Sequence, residues 1–107
     1  MNTSKTLTFC GLPCKVEISE YTANNQVAIE LVIADDANED DGYFPGEPVA
    51  TATVCIPERT FENGQTLIKD YSENEGILKV LVRSGVVEDM NQSVWVGREQ
   101  ASLVRVL

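Results

Sequence analysis

The residues from position 35 to position 47 have the types and spacing that most favour binding. This acidic loop contains six carboxylates and no basic residue, and it also contains two adjacent aromatic residues. Aromatic side chains among charges are the usual anchors of a protein interface, and the surrounding charges set the rate and orientation of approach. We therefore expect a partner to bind through Asp35, Asp36, Glu39, Asp40, Asp41, Tyr43 and Phe44. The alternative is that both rings pack back onto the edge of a sheet.

The same loop has part of the ligand spacing of a calcium-binding EF-hand. When Asp36 is counted as the first position, oxygen-bearing side chains lie at the first, third, fifth and twelfth positions: Asp36, Asn38, Asp40 and Glu47. The glycine that the sharp turn requires is replaced by Asp41, and Pro45 lies between the ligand positions. The flanking residues also have the pattern of strands, where the motif requires helices. Calcium is therefore the lesser interpretation, and we expect no cofactor.

Cys10, Cys14 and Cys55 are the residues suited to thiol or metal chemistry. A structural zinc site usually needs four thiolate or imidazole ligands, and a chain with three cysteines and no histidine cannot complete that set. An odd number of cysteines without an export signal favours reduced thiols over disulfides. We expect Cys10 and Cys55 to be buried as small hydrophobic side chains.

Acid–base catalysis has only weak candidates. Glu73 with Glu75, or Asp70 with Glu73, are close enough in sequence to pair, and Lys69 and Tyr71 flank Asp70. Such a pair works as acid and base only in a cleft that separates the two pKa values, and nothing in the pattern predicts a cleft. Without histidine, a nucleophile lacks its usual base, and no glycine-rich phosphate loop is present. We expect a protein that is not an enzyme.

The charge balance argues against nucleic acid as a direct ligand. Seventeen acidic residues against eight basic ones give a formal net charge of −9. The basic residues are spread along the chain without a cluster that would neutralise several phosphates: Lys5, Lys15, Arg59, Lys69, Lys79, Arg83, Arg98 and Arg105. This imbalance favours a basic protein partner.

The elements that must position these residues follow from the hydrophobic period. Alternation of apolar and polar residues predicts six strands, at 7–9, 16–18, 27–33, 49–56, 93–96 and 101–107, with Gly11-Leu12-Pro13 turning the first hairpin. In the strand at 27–33 one face is entirely apolar and only Glu30 interrupts the other, so the strand is well covered on one side and we expect it to be central. Trp95, in a Val-Trp-Val strand, is expected in the core.

One stretch has the period of a helix. Ser72 and Glu75 have the spacing of a capping box, so a helix of about eleven residues is predicted to begin there and to end at Gly85. Its apolar face is Ile77, Leu78, Leu81 and Val82.

These elements predict one α+β domain over residues 1–107. One amphipathic helix packs on one face of a two-layer, mostly antiparallel sheet of about six strands, in the order ββββ-α-ββ. The first residues, Met1-Asn2-Thr3-Ser4-Lys5, have neither the pattern of a signal peptide nor that of a membrane span. We therefore expect a cytoplasmic location.

The sequence also resembles a family of small uncharacterised proteins carried by phages, prophages and conjugative elements. The resemblance covers about the middle half of the chain and rests on two runs, of which the second is the more specific: Val49-Ala50-Thr51-Ala52-Thr53-Val54 and Ile68-Lys69-Asp70-Tyr71-Ser72-Glu73-Asn74-Glu75-Gly76. It implies a fold and an origin in a mobile element, and it implies no reaction and no catalytic residues. The acidic loop has no counterpart in it.

Charge, loop and resemblance together predict an accessory protein of the anti-CRISPR or anti-restriction type. Such a protein binds a basic host protein, for example a nuclease, restriction enzyme or CRISPR effector, and its carboxylates stand where phosphates would lie. One alternative is a self-associating structural or regulatory module, because the alternating strand at 103–107 is the last in the chain and an exposed sheet edge invites pairing. A second is a calcium-dependent binding domain. None of the three contacts nucleic acid directly or binds a membrane.

Overall fold

The chain folds into strands with one α-helix, as the sequence predicts. The computed structural model describes residues 6–21, 26–34, 42, 44–56, 61–62 and 64–107, apart from the side chain of Glu73. Within these ranges the elements are β1 (Thr6–Phe9), β2 (Leu12–Glu20), β3 (Val27–Ile33), β4 (Pro48–Thr51), β5 (Gln65–Ile68), a 3₁₀ helix (Ser72–Asn74), α1 (Ile77–Arg83), β6 (Val87–Val96) and β7 (Glu99–Val106). The α+β class and the antiparallel pairing are confirmed, but the described strands number seven and form two sheets.

The first sheet is a meander in the order β1-β2-β3-β4. Phe9 pairs with Leu12, so the first hairpin turns at Cys10 and Gly11, whose φ angles are +54° and +76°. Two central residues with positive φ are typical of a type I′ turn, which matches the twist of the flanking strands. The turn therefore precedes the predicted one, and Leu12 and Pro13 belong to β2. The prediction that β3 is central is confirmed.

The second sheet has the order β5-β7-β6, so the last strand in the chain lies in the middle. β7 pairs with β5 from Gln65 to Ile68 and with β6 from Val87 to Val96. The expectation that residues 103–107 lie at a sheet edge is therefore wrong, because both sides of this strand are already paired. The sequence pattern does not predict β5, because its last three residues, Thr66, Leu67 and Ile68, are all buried and show no alternation of polar and apolar side chains.

The predicted strand at 49–56 is divided between the two sheets. Its first part, β4, pairs with β3, and the Ala52 N–H still donates to the Ile29 carbonyl oxygen at 2.9 Å. At Thr53 the chain forms a bridge to Ile68 of β5, and the Val54 N–H then donates to the Leu67 carbonyl oxygen at 3.2 Å. The chain thus changes sheets at Ala52 and Thr53, as strands do at the corners of packed sheets.

Threonine side chains complete the pairing of β3 where β4 leaves it. The Ile29 N–H donates to Thr53 Oγ1 at 3.1 Å, and the Thr66 hydroxyl donates to the Val27 carbonyl oxygen at 2.6 Å. These hydroxyls occupy the places that a strand backbone would otherwise fill. Because buried backbone groups must be paired, the side chains allow the chain to change sheets without leaving β3 unsatisfied.

Gln26 and Tyr21 complete this polar cluster, which we define as Tyr21, Gln26, Thr53 and Thr66. Gln26 Nε2 donates to the Val54 carbonyl oxygen at 2.7 Å and to Thr66 Oγ1 at 3.2 Å, and its Oε1 accepts from the Ile56 N–H at 3.4 Å. The Tyr21 hydroxyl lies 2.8 Å from Thr53 Oγ1. Across the described residues, no buried side-chain polar atom lacks a partner. A fully paired network of this kind specifies one arrangement of the two sheets.

The main core lies between the two sheets and α1. Its buried members come from both sheets, the helix and the segment after it: Phe9, Cys14, Val16, Ile29, Leu31, Ala52, Ile68, Ile77, Leu81, Val86, Val87 and Val104. A smaller cluster on the opposite face of the second sheet contains Leu67, Ala101 and Leu103, with Val54, Ile56 and Phe61 packed against it. The second sheet is therefore covered on both faces along part of its length.

The helix is shorter than predicted because its start differs. Ser72 has a φ of +55° and begins a single 3₁₀ turn, in which the Glu75 N–H donates to the Ser72 carbonyl oxygen. Gly76 then takes a left-handed conformation before α1, and neither helix start has a side-chain cap. The predicted capping box therefore does not form. Asp70 accepts the Gly76 N–H at 2.5 Å instead.

The end of the helix agrees with the prediction. Gly85 has a φ of +74°, its N–H donates to the Val82 carbonyl oxygen at 3.1 Å, and the Val86 N–H donates to the Leu81 carbonyl oxygen at 3.0 Å. This pair of bonds is a Schellman motif, which satisfies carbonyls that the helix leaves unpaired. Ile77 and Leu81 face the core, whereas Val82 is exposed.

The cysteines are arranged differently from the prediction. Cys14 is fully buried in the main core, Cys55 is half-buried, and Cys10 is exposed. The prediction that Cys10 is buried is wrong because Cys10 occupies the turn of the first hairpin, beyond the strand residues that pack on the core. All three are free thiols.

We expect Thr53→Val to lower the free energy of unfolding by about 1–3 kcal/mol, because it leaves the buried Ile29 N–H without an acceptor. Thr51→Val is the matched control. Because the Thr51 side chain is exposed on β4, this substitution should change the free energy of unfolding by less than about 0.5 kcal/mol. Urea denaturation of both variants measures the difference. Equal values for the two variants would show that the hydroxyl of Thr53 contributes nothing.

The buried Cys14 thiol predicts a loss of stability at alkaline pH. Burial raises the pKa of this thiol; a backbone hydrogen bond at Phe9 opposes the shift, and Cys10 adds to it. The native state therefore keeps this proton at pH values where the unfolded state, with an ordinary thiol pKa of about 8.5, has lost it. The free energy of unfolding should fall as pH rises through that range. Denaturation of Cys14→Ala should show a smaller fall, and an unchanged slope would contradict the assignment.

Candidate partner-binding site

The described end of the acidic loop is the tight turn Phe44-Pro45-Gly46-Glu47, which leads into β4. The Glu47 N–H donates to the Phe44 carbonyl oxygen at 3.0 Å, and Gly46 has a φ of +85°. Proline at the second position and a glycine with positive φ at the third are the signature of a type II turn. Glu47 Oε1 also accepts the Phe44 N–H at 3.3 Å, so the two ends of the turn are joined twice.

This turn is fixed to the end of β3. The Gly46 N–H donates to the Ile33 carbonyl oxygen and the Ile33 N–H donates to the Glu47 carbonyl oxygen, both at 2.8 Å. The Ala34 N–H, on the other side of the loop, donates to the Pro13 carbonyl oxygen at 2.9 Å. Both described ends of the acidic loop are thus held by the backbone of the first sheet.

Phe44 is exposed, with 60% of its surface accessible. A ring packed on the edge of a sheet would be covered, so the alternative in which both aromatic rings pack there does not hold for Phe44. The turn presents an apolar ring to solvent at a defined position relative to β3. Such a ring can be buried by a partner.

The other predicted contact residues, Asp35, Asp36, Glu39, Asp40, Asp41 and Tyr43, lie outside the described residues. Three of the four calcium candidates, Asp36, Asn38 and Asp40, do so as well, and the fourth, Glu47, is exposed and accepts the Phe44 N–H. In the described part of the chain, no three histidine, cysteine or carboxylate side chains are grouped as metal ligands.

The acid–base candidates do not form a described pair. Asp70 Oδ1 accepts the Gly76 N–H at the start of α1, Glu75 is exposed, and the Glu73 side chain is outside the described set. Asp70 therefore has a structural role, since it satisfies an amide that the helix start leaves without a partner. Next to this turn, the buried Asn74 side chain donates to the Thr51 carbonyl oxygen at 2.8 Å and ties it to β4.

Trp95 is the exposed aromatic residue that sequence reasoning missed. It was expected in the core, and that prediction is wrong: 66% of its surface is accessible. Its neighbours Val94 and Val96 pack against the smaller cluster, so Trp95 faces the opposite side of β6, on the same side as the exposed Ser93. The sequence pattern does indicate this exposure, because alternation along the strand places Trp95 on one face with the polar Ser93 and places Val94 and Val96 on the other face.

The part of the chain that the structure describes contains no helix with the length and apolar character needed to cross a membrane.

We expect Phe44→Ala to change the free energy of unfolding by less than about 0.5 kcal/mol, because the ring is exposed. Phe9→Ala is the matched control: Phe9 is only 5% exposed in the main core, and its truncation should cost about 3–5 kcal/mol. Chemical denaturation separates the two cases. A cost for Phe44→Ala close to that of Phe9→Ala would show that the ring packs on the protein in solution.

Comparison with known proteins adds no relative from which a role could be transferred. No model of a protein family, no curated protein and no solved structure matches this chain.

Proposed function

We propose that this chain is an accessory protein of a phage or other mobile element. In this proposal it acts in the cytoplasm of the bacterial host, where it binds a basic, nucleic-acid-handling protein and inhibits it by steric and electrostatic competition. A nuclease, a restriction enzyme or a CRISPR effector is the expected class of target. The protein carries out no reaction of its own, and the resemblance to proteins of mobile elements supports the origin.

The net charge of −9 supports a partner of opposite sign. A surface with excess negative charge accelerates encounter with a basic protein and lets carboxylates occupy positions where phosphates would bind. The described ion pair between the Arg105 guanidinium and the Glu88 carboxylate cancels one charge of each sign and leaves this net charge unchanged.

The exposure of Phe44 is the observation that carries the proposal. A long-range charge brings two proteins together, but a stable complex also needs apolar surface that becomes buried. Phe44 supplies such a surface within the acidic loop, on a turn held to β3 by two backbone hydrogen bonds of 2.8 Å. A ring on a fixed turn loses little conformational freedom when it is buried by a partner.

The first experiment is an affinity pull-down of the tagged chain from a bacterial host lysate, followed by mass spectrometry at low and moderate salt. Recovery of a nuclease or CRISPR component that elutes as salt rises supports the proposal, because salt screens exposed charges. Recovery of only the chain itself would contradict it.

With the partner identified, we expect reversal of five loop charges to lysine (Asp35, Asp36, Glu39, Asp40 and Asp41) to weaken binding by about tenfold or more and to reduce its salt dependence. The matched control reverses five exposed glutamates elsewhere, Glu17, Glu20, Glu30, Glu62 and Glu99, and so has the same net charge. The control should keep most of the affinity. An equal loss in both variants would mean that net charge alone matters and that the loop is not the site.

A further inference from the structure

The outer edge of β6 is a second candidate binding surface, remote in the sequence from the acidic loop. Among the described strands, β6 pairs only with β7 and lies at the edge of the second sheet. Val96 pairs with Glu99 across the two-residue turn Gly97-Arg98. The residues that flank such a turn form a hydrogen-bonded pair, and hydrogen-bonded and non-hydrogen-bonded pairs alternate from there. Ser93 and Trp95 therefore direct their backbone N–H and C=O groups away from β7.

This edge lacks most of the features that protect edge strands. Proteins usually block an open edge with charged residues, proline or a bulge. The only bulge in β6 lies between Asp89 and Gln92, and the eight residues from position 90 to position 97, Met-Asn-Gln-Ser-Val-Trp-Val-Gly, include no charge and no proline. No described strand pairs with the edge beyond the bulge, so this edge can accept another strand.

Trp95 adds apolar surface to the same edge. Trp95 is 66% exposed, on the side of the sheet shared with Ser93, while Val94 and Val96 lie on the other side. Tryptophan is among the residues that contribute most to interfaces when buried. The edge thus offers backbone hydrogen bonds, which an extended strand satisfies, together with a large ring that a partner would cover.

We propose that this edge binds a second copy of the same chain, through antiparallel pairing of the two β6 strands about a two-fold axis. Centring the axis on Val94 places Ser93 of each copy opposite Trp95 of the other. Both of these residues direct their backbone groups outward, so the two positions can exchange four hydrogen bonds. The small Ser93 side chain then lies beside the ring of the other copy. Two three-stranded sheets become one sheet of six strands.

The charge distribution selects a second copy as the occupant. Two chains that each carry −9 repel one another, so a self-complementary contact is least opposed where the surface carries no charge. The uncharged run from position 90 to position 97 is such a surface, and a two-fold axis brings it against itself. A basic partner would gain no electrostatic attraction at this edge, because the run is uncharged. The inference does not depend on the proposed function, because it uses a different surface.

Sedimentation equilibrium of the full chain and tryptophan fluorescence test the inference together. Trp95 is the only tryptophan in the sequence, so its emission reports on this site alone. We expect a monomer–dimer equilibrium whose dimer fraction rises with protein concentration, with a blue shift of the emission in parallel. A monomer at all concentrations up to about 1 mM, the range of weak complexes, overturns the proposal. A dimer whose tryptophan emission stays unchanged overturns it as well.

Three variants locate the contact. Trp95→Ala should raise the dissociation constant of the dimer by about tenfold or more. Ser93→Pro removes an outward N–H that β7 does not use, so it should abolish the dimer while the monomer stays folded by circular dichroism. Ser93→Lys should also dissociate the dimer, whereas Thr8→Lys, the same charge change at the exposed edge of the first sheet, should leave it intact. A dimer that survives Trp95→Ala and Ser93→Lys unchanged overturns the assignment to β6.

Discussion

The backbone of β3 must be paired along its whole length, and β4 pairs with only part of it. β3 is buried on both faces apart from the exposed Glu30 and the half-buried Val27, so side chains of the protein must pair most of the groups that β4 leaves behind. The Thr53 hydroxyl accepts the Ile29 N–H, and the Thr66 hydroxyl donates to the Val27 carbonyl oxygen. The Gln26 side chain, at the start of β3, bonds to the backbone of Val54 and Ile56. The change of sheets, the angle between the sheets and the core that they enclose all depend on these side-chain bonds. Apolar substitutes of similar size would fill the space but would not satisfy the backbone.

Electrostatic repulsion within the chain is the second constraint. Glu17 and Glu30 lie directly opposite one another on β2 and β3, both exposed, and like charges in that arrangement are unfavourable. The described ion pair between Arg105 and Glu88 offsets little of this, since exposed pairs contribute about 0–1 kcal/mol. Excess negative charge on a small domain lowers its stability through repulsion between its own carboxylates. The two candidate surfaces are opposite in character, one acidic and one uncharged, so they can serve different partners.

The sequence predicts those parts of the fold that depend on residues close together in the chain. The strand at 27–33, the helix end at Gly85 and the α+β class all follow from side-chain period and the special conformation of glycine. The rest depends on distant contacts. Nothing near Ser72 shows that Asp70 would cap the Gly76 amide, or that a left-handed glycine would delay the helix to Ile77. The predicted strand at 49–56 is divided because different strands lie next to its two halves. β7 is central because it also pairs with β5, more than thirty positions earlier in the chain. Trp95 departs from the general preference of tryptophan for the core and follows the local alternation of β6 instead.

The central position of β7 also determines the order in which the chain can fold as it is synthesised. In the first sheet each strand pairs with the strand made just before it, so pairing can follow synthesis closely. In the second sheet β5 and β6 share no edge: β5 can bond only to the segment at 52–54, and β6 has no partner strand until β7 has been made. Between the synthesis of Ile68 and that of Glu99, a nascent chain can therefore hold a complete first sheet beside two separate strands with open edges. This interval is when chaperones and proteases have most access to the apolar faces that the finished protein buries.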